Sequence, residues 1–417
     1  MPDIISSDVV IIGAGPSGSV AAKLLAEKGF SVTIIEREYF PRFSIGESLL
    51  PQCTEILNDA GLLEIVKQAN YQVKNGAKFC DGEKEAIFNF KDKFTSGADT
   101  TYQVKRARFD KLLADESQKI GANIYYGEQV ETVDFSNEYV FISTNNKEGK
   151  VKAFKCQFIL DASGFGRVLP KLLGLNKPSN FPSRQAIFTH IRDHISSKDC
   201  DRNKILISMH PINKSVWYWL IPFEDGTSSI GVVAPEAFLI QYSELSEPQQ
   251  LRQCIDSEDN LRSILSEAEV IAPVRKVSGY ASNVTSLYGD GYALLGNAGE
   301  FLDPIFSSGV TIALKSAQLA ANALSKQLNG ISVNWEKEFS EPLYYGVNVF
   351  RAFVEAWYSG QLQKILFSQV QPNDIKQKIC AILAGFAWDK NNPYTFQTKR
   401  KLGVLASVCQ TLSPKSV

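Results

Sequence analysis

Three groups of residues carry types and spacings that could do chemistry. The first is Gly13, Gly15 and Gly18 in "GAGPSG", between an apolar run and an amphipathic one. A G-x-G-x-x-G turn from strand to helix, with Ala14, Pro16 and Ser17 filling it, lets backbone amides meet a pyrophosphate at the helix N-terminus. Glu36 closes the next apolar run, where a carboxylate would accept both hydroxyls of an adenosine ribose. A dinucleotide site is expected there. The second group is "VWYWLIP", residues 216 to 222. On a strand alternate side chains share a face, so Trp217 and Trp219 stand side by side and Tyr218 points away. This run is either ordinary sheet packing or a wall against something reactive. The third is His190 and His194, spaced as two metal ligands on a helix would be. "QAIFTHIRD" reads as a strand, however, and no third ligand stands nearby, so no metal site is expected.

The elements that must position these groups come from a chain of 417 residues, 44% hydrophobic and 21% charged. That suffices for one large core or two joined ones. A net charge of −1, from 44 basic and 45 acidic side chains, gives no electrostatic footprint for nucleic acid or an acidic membrane. The seven cysteines include no C-x-x-C pair, as suits a reducing cytoplasm. "MPDIISSDVVIIG" lacks the features of a signal peptide, and "ICAILAGFAW" (379–388) is too short to span a bilayer and reads as a buried helix. A cytoplasmic location is expected. The fingerprint itself reads as strand Asp8 to Ile12, a helix ending at Gly29, and strand Ser31 to Ile35.

Longer segments identify the nucleotide. "YFPRFSIGESLLP" (39–51) resembles the flavin-contacting stretch of flavin-dependent halogenases, within the superfamily of FAD-dependent aromatic hydroxylases and geranylgeranyl reductases. The resemblance implies FAD, with Arg37, Arg42, Gly46, Glu47 and Ser48 beside it. "QVKRARFDKLLADESQKIGANIYYGEQV" (103–130) resembles their second FAD signature, which would place Arg106 near the ribose and pyrophosphate and Val130 past the adenine. "FILDASGFGR" (158–167) resembles the motif whose acid, Asp161, closes back on the nucleotide. "YALLGNAGEFLDPIFSSGVTIALKSAQLAANAL" (292–324) resembles the third signature, implying contacts from Gly296, Asn297, Pro304, Ser308, Gly309 and Val310. Asn297 stands where the family usually has aspartate and keeps an acceptor oxygen. The helix after Ser307 would aim its N-terminus at the flavin, and amides beside Ser308 and Gly309 could hold a halide.

Within that family "WYWLIP" fits W-x-W-x-I-P, which implies that Trp217, Trp219, Ile221 and Pro222 keep organic substrate off the flavin. Lys74, in "VKNGA", matches the lysine that the family places between flavin and substrate, and Lys78 follows as a decoy. A buried ammonium there could hydrogen-bond hypohalous acid, or the amine could carry the halogen. Phe306 replaces the glutamate of tryptophan halogenases, as in phenol and pyrrole halogenases. About ninety residues follow Leu324, fewer than in many halogenases.

The expected architecture is α/β: a Rossmann-like FAD domain from 1–70, 103–180 and 275–330, an inserted mixed β-sheet from 71–102 and 181–274, and helices over 331–417. Breaks are expected at "QLNGISVNWEKEF" and "QPNDIKQK". The expected activity is electrophilic halogenation of a phenol or pyrrole from reduced FAD, dioxygen and halide. A hydroxylase or alkene reductase on the same scaffold is the first alternative, and a flavin-binding redox module without turnover is the second. Expected partners are a small aromatic or lipid-like substrate, a separate flavin reductase, and an acidic acyl carrier protein meeting Lys399, Arg400 and Lys401.

Overall fold

Val9–Ile12 is four β-branched residues, all buried, the pattern of a parallel strand covered on both faces. In the computed structural model it lies inside a six-stranded sheet ordered Tyr288–Gly289, Tyr292–Leu294, Phe158–Asp161, Val9–Ile12, Val32–Glu36, Asn123–Tyr126. Every neighbouring pair is parallel except at the edge strand Tyr288–Gly289. Helix Pro16–Ala26 makes the crossover from Val9–Ile12 to Val32–Glu36 and packs on helices Arg106–Lys119 and Ser308–Leu328. The structure describes residues 4–136, 138–179, 181–196, 198–279, 282–369 and 372–412. A four-stranded sheet, Ile4–Ser6, Val151–Cys156, Val140–Asn146 and Glu128–Asp134, adjoins it in sequence.

The third large sheet has eight strands and runs Glu269–Val270, Arg184–Arg192, Thr227–Pro235, Trp217–Pro222, Lys204–Met209, Gly76–Asp81, Lys84–Asn89. Arg275–Ser278 is its eighth strand, paired to Arg184–Arg192. Its two faces belong to different cores. Trp217, Trp219 and Ile221 join the main cluster shared with the six-stranded sheet, whereas Tyr218 and Leu220 join a smaller one with Leu251, Cys254 and Leu261.

Helices Glu341–Tyr358, Gln361–Leu366, Asn373–Leu383 and Thr398–Leu412 complete the chain. Two expectations fail here. The segment "NDIKQK" is not a break but the first turns of Asn373–Leu383, because Pro372, which cannot sit inside a helix, is tolerated at its N-cap. Gln371 lies outside the described residues. The apolar run 379–388 is likewise not one helix: it stops at Leu383, and Gly385 takes φ +98°. No helix among the described residues is long and apolar enough to cross a membrane.

Candidate active site

The fingerprint turn is built by close approach. Gly13 has φ +97° and donates its N–H to Ile35 O at 2.8 Å, while a Cβ on Gly18 would fall 1.9 Å from Gly13 O. Gly15 differs from both. A Cβ there would meet only the Arg42 guanidinium, at 3.6 Å, so the space beside it is open to a ligand. Ala14 N donates to Glu36 Oε2 at 2.9 Å, which ties the acid at the end of its strand to the turn. Pro16 opens the helix, and Ser17 is buried behind it.

Two arginines are set around one buried acid. Arg106 grips Asp110 through Nε and Nη2 at 2.7 and 3.0 Å, and Arg42 Nη1 reaches the same carboxylate at 3.0 Å. Arg42 also lies 3.7 Å from Glu36, and Arg106 Nη1 donates to Ile45 O at 2.6 Å. Together they bring Gly46 beside Val310, whose Cγ2 would lie 3.7 Å from a Cβ at residue 46. The segment holding Glu47 and Ser48 pairs with Thr101–Gln103: Val104 N donates to Glu47 O, and Leu49 N to Tyr102 O. Four buried polar atoms here have no hydrogen-bond partner: Glu47 Oε2, Ser48 Oγ, Thr101 Oγ1 and Gln103 Oε1. Orphaned buried acceptors and donors call for a ligand, and these fit the polar edge of a flavin.

Other expected residues are placed less directly. Arg37 sits at the surface beside Glu38, and Val130 is buried opposite Thr144. Asp161 is fully buried, and its two oxygens accept from Ser163 N and Leu169 N, which shapes the turn that follows its strand. Burial pushes its pKa up, offset by those bonds. Asn297 is half-buried on a 3₁₀ turn, and its backbone oxygen accepts from Arg167. Pro304 starts the turn that delivers Ser307, in the left-handed region at φ +56°, to the N-terminus of Ser308–Leu328. Ser308, Gly309 and Val310 form that first turn.

Lys74 is 1% exposed, on the strand Gln72–Lys74. Its Nζ donates to Leu49 O at 2.8 Å and lies 5.5 Å from the centre of the Phe90 ring. Burial drives its pKa down to about 7, and the nearby Cys53 thiol pulls weakly the other way. Cys53 in turn contacts Thr311 Oγ1 at 3.1 Å, in the first turn of Ser308–Leu328. Lys78 is unlike it: it pairs with Glu85 at 2.5 Å near the surface.

Trp217 and Trp219 lie 6.0 Å apart between ring centres, both on the side of the main core. Trp219 Nε1 donates to Ser229, and Trp217 Nε1 donates to Tyr358, whose hydroxyl donates to Asp303. Gly231, opposite Trp219, leaves room for the indole: a Cβ there would come within 2.3 Å of Trp219 Cζ2. Gly231→Ala is expected to lower stability by about 1–3 kcal/mol and shift tryptophan fluorescence, read by chemical denaturation. Ile221 and Pro222 finish the wall, and Gln103 Nε2 donates to Pro222 O at 2.8 Å.

His190 lies on a strand, and its Nε2 meets Glu47 Oε1 at 2.6 Å; among the described residues no cluster could hold a metal. Sequence reasoning missed this pair, and it missed Arg184, Asp303 and Tyr358. Arg184 had a signal, two residues before Ala186 and four before Phe188 on one face of a strand.

A family model described as FAD binding domain matches residues 6–335. The 1H-pyrrole-2-carbonyl-(peptidyl-carrier protein) chlorinase of Pseudomonas fluorescens is 31% identical over 391 residues, covering 84% of this chain and 86% of that protein. The chain belongs to the flavin-dependent halogenase family. It is a flavoprotein and an FAD-dependent oxidoreductase of that family. The solved structure of a flavin-dependent brominase superposes with a TM-score of 0.82 at 25% identity, over 98% of this chain and 100% of that one. That of a flavoprotein/dehydrogenase from Cytophaga hutchinsonii gives 0.94 at 42% identity, over 97% and 99%.

Proposed function

We propose that this protein halogenates a small electron-rich aromatic, a pyrrole or phenol, and that Lys74 delivers the halogen. The observation that carries this reading is the buried Lys74 amine, with one hydrogen bond, near the Cys53 thiol that contacts Thr311 on the helix beginning at Ser308. Bound FAD, when reduced, supplies the electrons with which dioxygen converts halide to hypohalous acid. The glycine turn at Gly13–Gly18, Glu36, Arg42 and Arg106 would hold its nucleotide half, and Glu47, Ser48 and the turn at Ser308–Val310 its ring. That assigns the cofactor to the six-stranded sheet with its flanking helices, and the substrate to the eight-stranded sheet and the C-terminal helices. The amides of Ser308 and Gly309 would hold the halide.

Trp217 and Trp219 form a dry wall that keeps the arene away from the cofactor. Lys74 Nζ donates a hydrogen bond to the oxygen of hypohalous acid. As the arene attacks the halogen, the O–X bond breaks, and the oxygen leaves as water with a proton from Nζ. The ring proton lost to solvent balances the exchange of C–H for C–X. This role needs the ammonium. The halogenation rate should therefore be high below pH 7 and fall as pH rises through about 7. A rate that rises through the same range would mean that the neutral amine carries the halogen.

The relatives that act on a carrier-bound pyrrole support a peptidyl-carrier partner here, and Lys399, Arg400 and Lys401 offer it basic side chains. All seven cysteines are buried and, among the described residues, none forms a disulfide, which supports a cytoplasmic setting. The test is product analysis with a flavin reductase, FAD, chloride or bromide, and a panel of pyrroles and phenols. Halide-dependent product supports the reading. A second reading, a reductase, is favoured by the likeness to the flavoprotein/dehydrogenase. Rapid NADPH oxidation giving a hydroxylated or reduced product, with no halide dependence, would replace the first.

A further inference from the structure

Beside Trp217 lies a cavity of about 190 Å³, lined by Phe181, Pro182, Ser183, Arg184, Asp303 and Tyr358 among others. Its volume is below the roughly 300 Å³ at which drug-sized ligand pockets begin, so it suits one substituted ring. Asp303 and Tyr358 tie it to the reaction side: Tyr358 accepts from Trp217 Nε1, and Asp303 comes just before the turn leading into Ser308. Arg184 is the unusual member. It is 7% exposed, its guanidinium stacks 3.5 Å from the centre of the Tyr358 ring, and Nη1 donates to Ser215 O at 2.8 Å. Its Nε has no hydrogen-bond partner, and among the described residues no carboxylate lies within ion-pair distance of it. A guanidinium has five N–H donors, and a buried charge left without a counter-group is costly. The stacking on Tyr358 accounts for the plane of the group, not for its unused donors.

We propose that Arg184 recognises the substrate through a conjugated carbonyl oxygen on a single aromatic ring, the group carried by the carrier-bound pyrrole of the relatives. That oxygen belongs either to a free carboxylate or to an acyl group held as a thioester on a carrier. The guanidinium fork binds the carbonyl end and orients the ring in the cavity beside Trp217. This rests on the halogenase reading, yet it makes a binding prediction that needs no turnover.

Calorimetric titration of oxidised, FAD-loaded protein tests it, with pyrrole, pyrrole-2-carboxylate and the N-acetylcysteamine thioester of that acid as probes. At least one carbonyl-bearing probe should bind at least about tenfold tighter than pyrrole, and Arg184→Gln should erase that preference. Preference for the acid alone identifies the free carboxylate; preference for the thioester alone identifies the tethered acyl group. Equal affinity for all three in the wild type overturns the proposal, as does a preference that survives in Arg184→Gln. Should Arg184→Gln fail to take up FAD, Arg184→Lys decides: it keeps the charge without the fork, so carbonyl affinity must fall several-fold, and unchanged affinity overturns the assignment. A probe that binds through Arg184 but is never halogenated would sink the halogenase reading and leave the recognition role standing.

Discussion

Lys74→Met is expected to abolish halogenated product while making the protein more stable. Losing a positioned proton donor typically lowers a rate by about 10²–10⁴-fold, and FAD uptake and oxygen consumption should continue. The gain in stability follows from linkage. The folded-state pKa, about 7, lies below the ordinary lysine value of 10.5, so between those values the unfolded chain binds one more proton than the folded one. The penalty for burying the amine is therefore complete below pH 7 and is relieved as pH rises toward 10.5. Removing it is worth on the order of 3–5 kcal/mol at most, and leaving Leu49 O without its donor returns about 1–3. A net gain of about 1–3 kcal/mol is expected at pH 6, shrinking by pH 9, in urea denaturation at both values. Lys78→Ala, which removes a surface pair with Glu85, should change neither product nor stability appreciably. Wild-type product levels in Lys74→Met would end the proposed role of this residue.

Gly15→Val should fold normally and bind essentially no FAD. Gly15 has φ −71°, and a side chain there meets only Arg42, so the apoprotein loses little. The same side chain fills the space through which a pyrophosphate reaches the helix N-terminus. A loss of uptake exceeding about a hundredfold is expected, measured by fluorescence titration with FAD alone. Gly18→Val is the contrasting case: its Cβ would strike Gly13 O, so it should fail to fold. Wild-type FAD affinity in Gly15→Val would remove the nucleotide from this turn.

What the sequence made legible was local. The fingerprint lies within Val9–Glu36, and the alternation of Trp217 and Trp219 against Tyr218 follows from a period of two residues. Lys74 was found through a short motif, but its burial was not readable, because Leu49 and Cys53 come from one other segment and Phe90 from another. The same holds for Arg184, Tyr358 and Asp303, whose meeting depends on where the C-terminal helix Glu341–Tyr358 docks. His190 was weighed only as a metal ligand; its partner Glu47 is 143 positions away. The strand Arg275–Ser278 was likewise hidden, since a short polar run reveals no sheet until its partner is known.

The strand Trp217–Pro222 has one further implication, for how the protein can change. Its residues Trp217, Trp219 and Ile221 face the main core, where the chemistry is proposed, and Tyr218 and Leu220 face a separate core under helices Glu247–Asp256 and Asp259–Ile264. Substitutions at Tyr218, Leu220 or Leu251 therefore act on rigidity from behind the wall, without entering the proposed substrate space. Stiffness and selectivity are in this way adjustable by different sets of residues on a single ribbon of backbone. A directed-evolution campaign can stabilise the outer layer first and spend the margin later on the inner one.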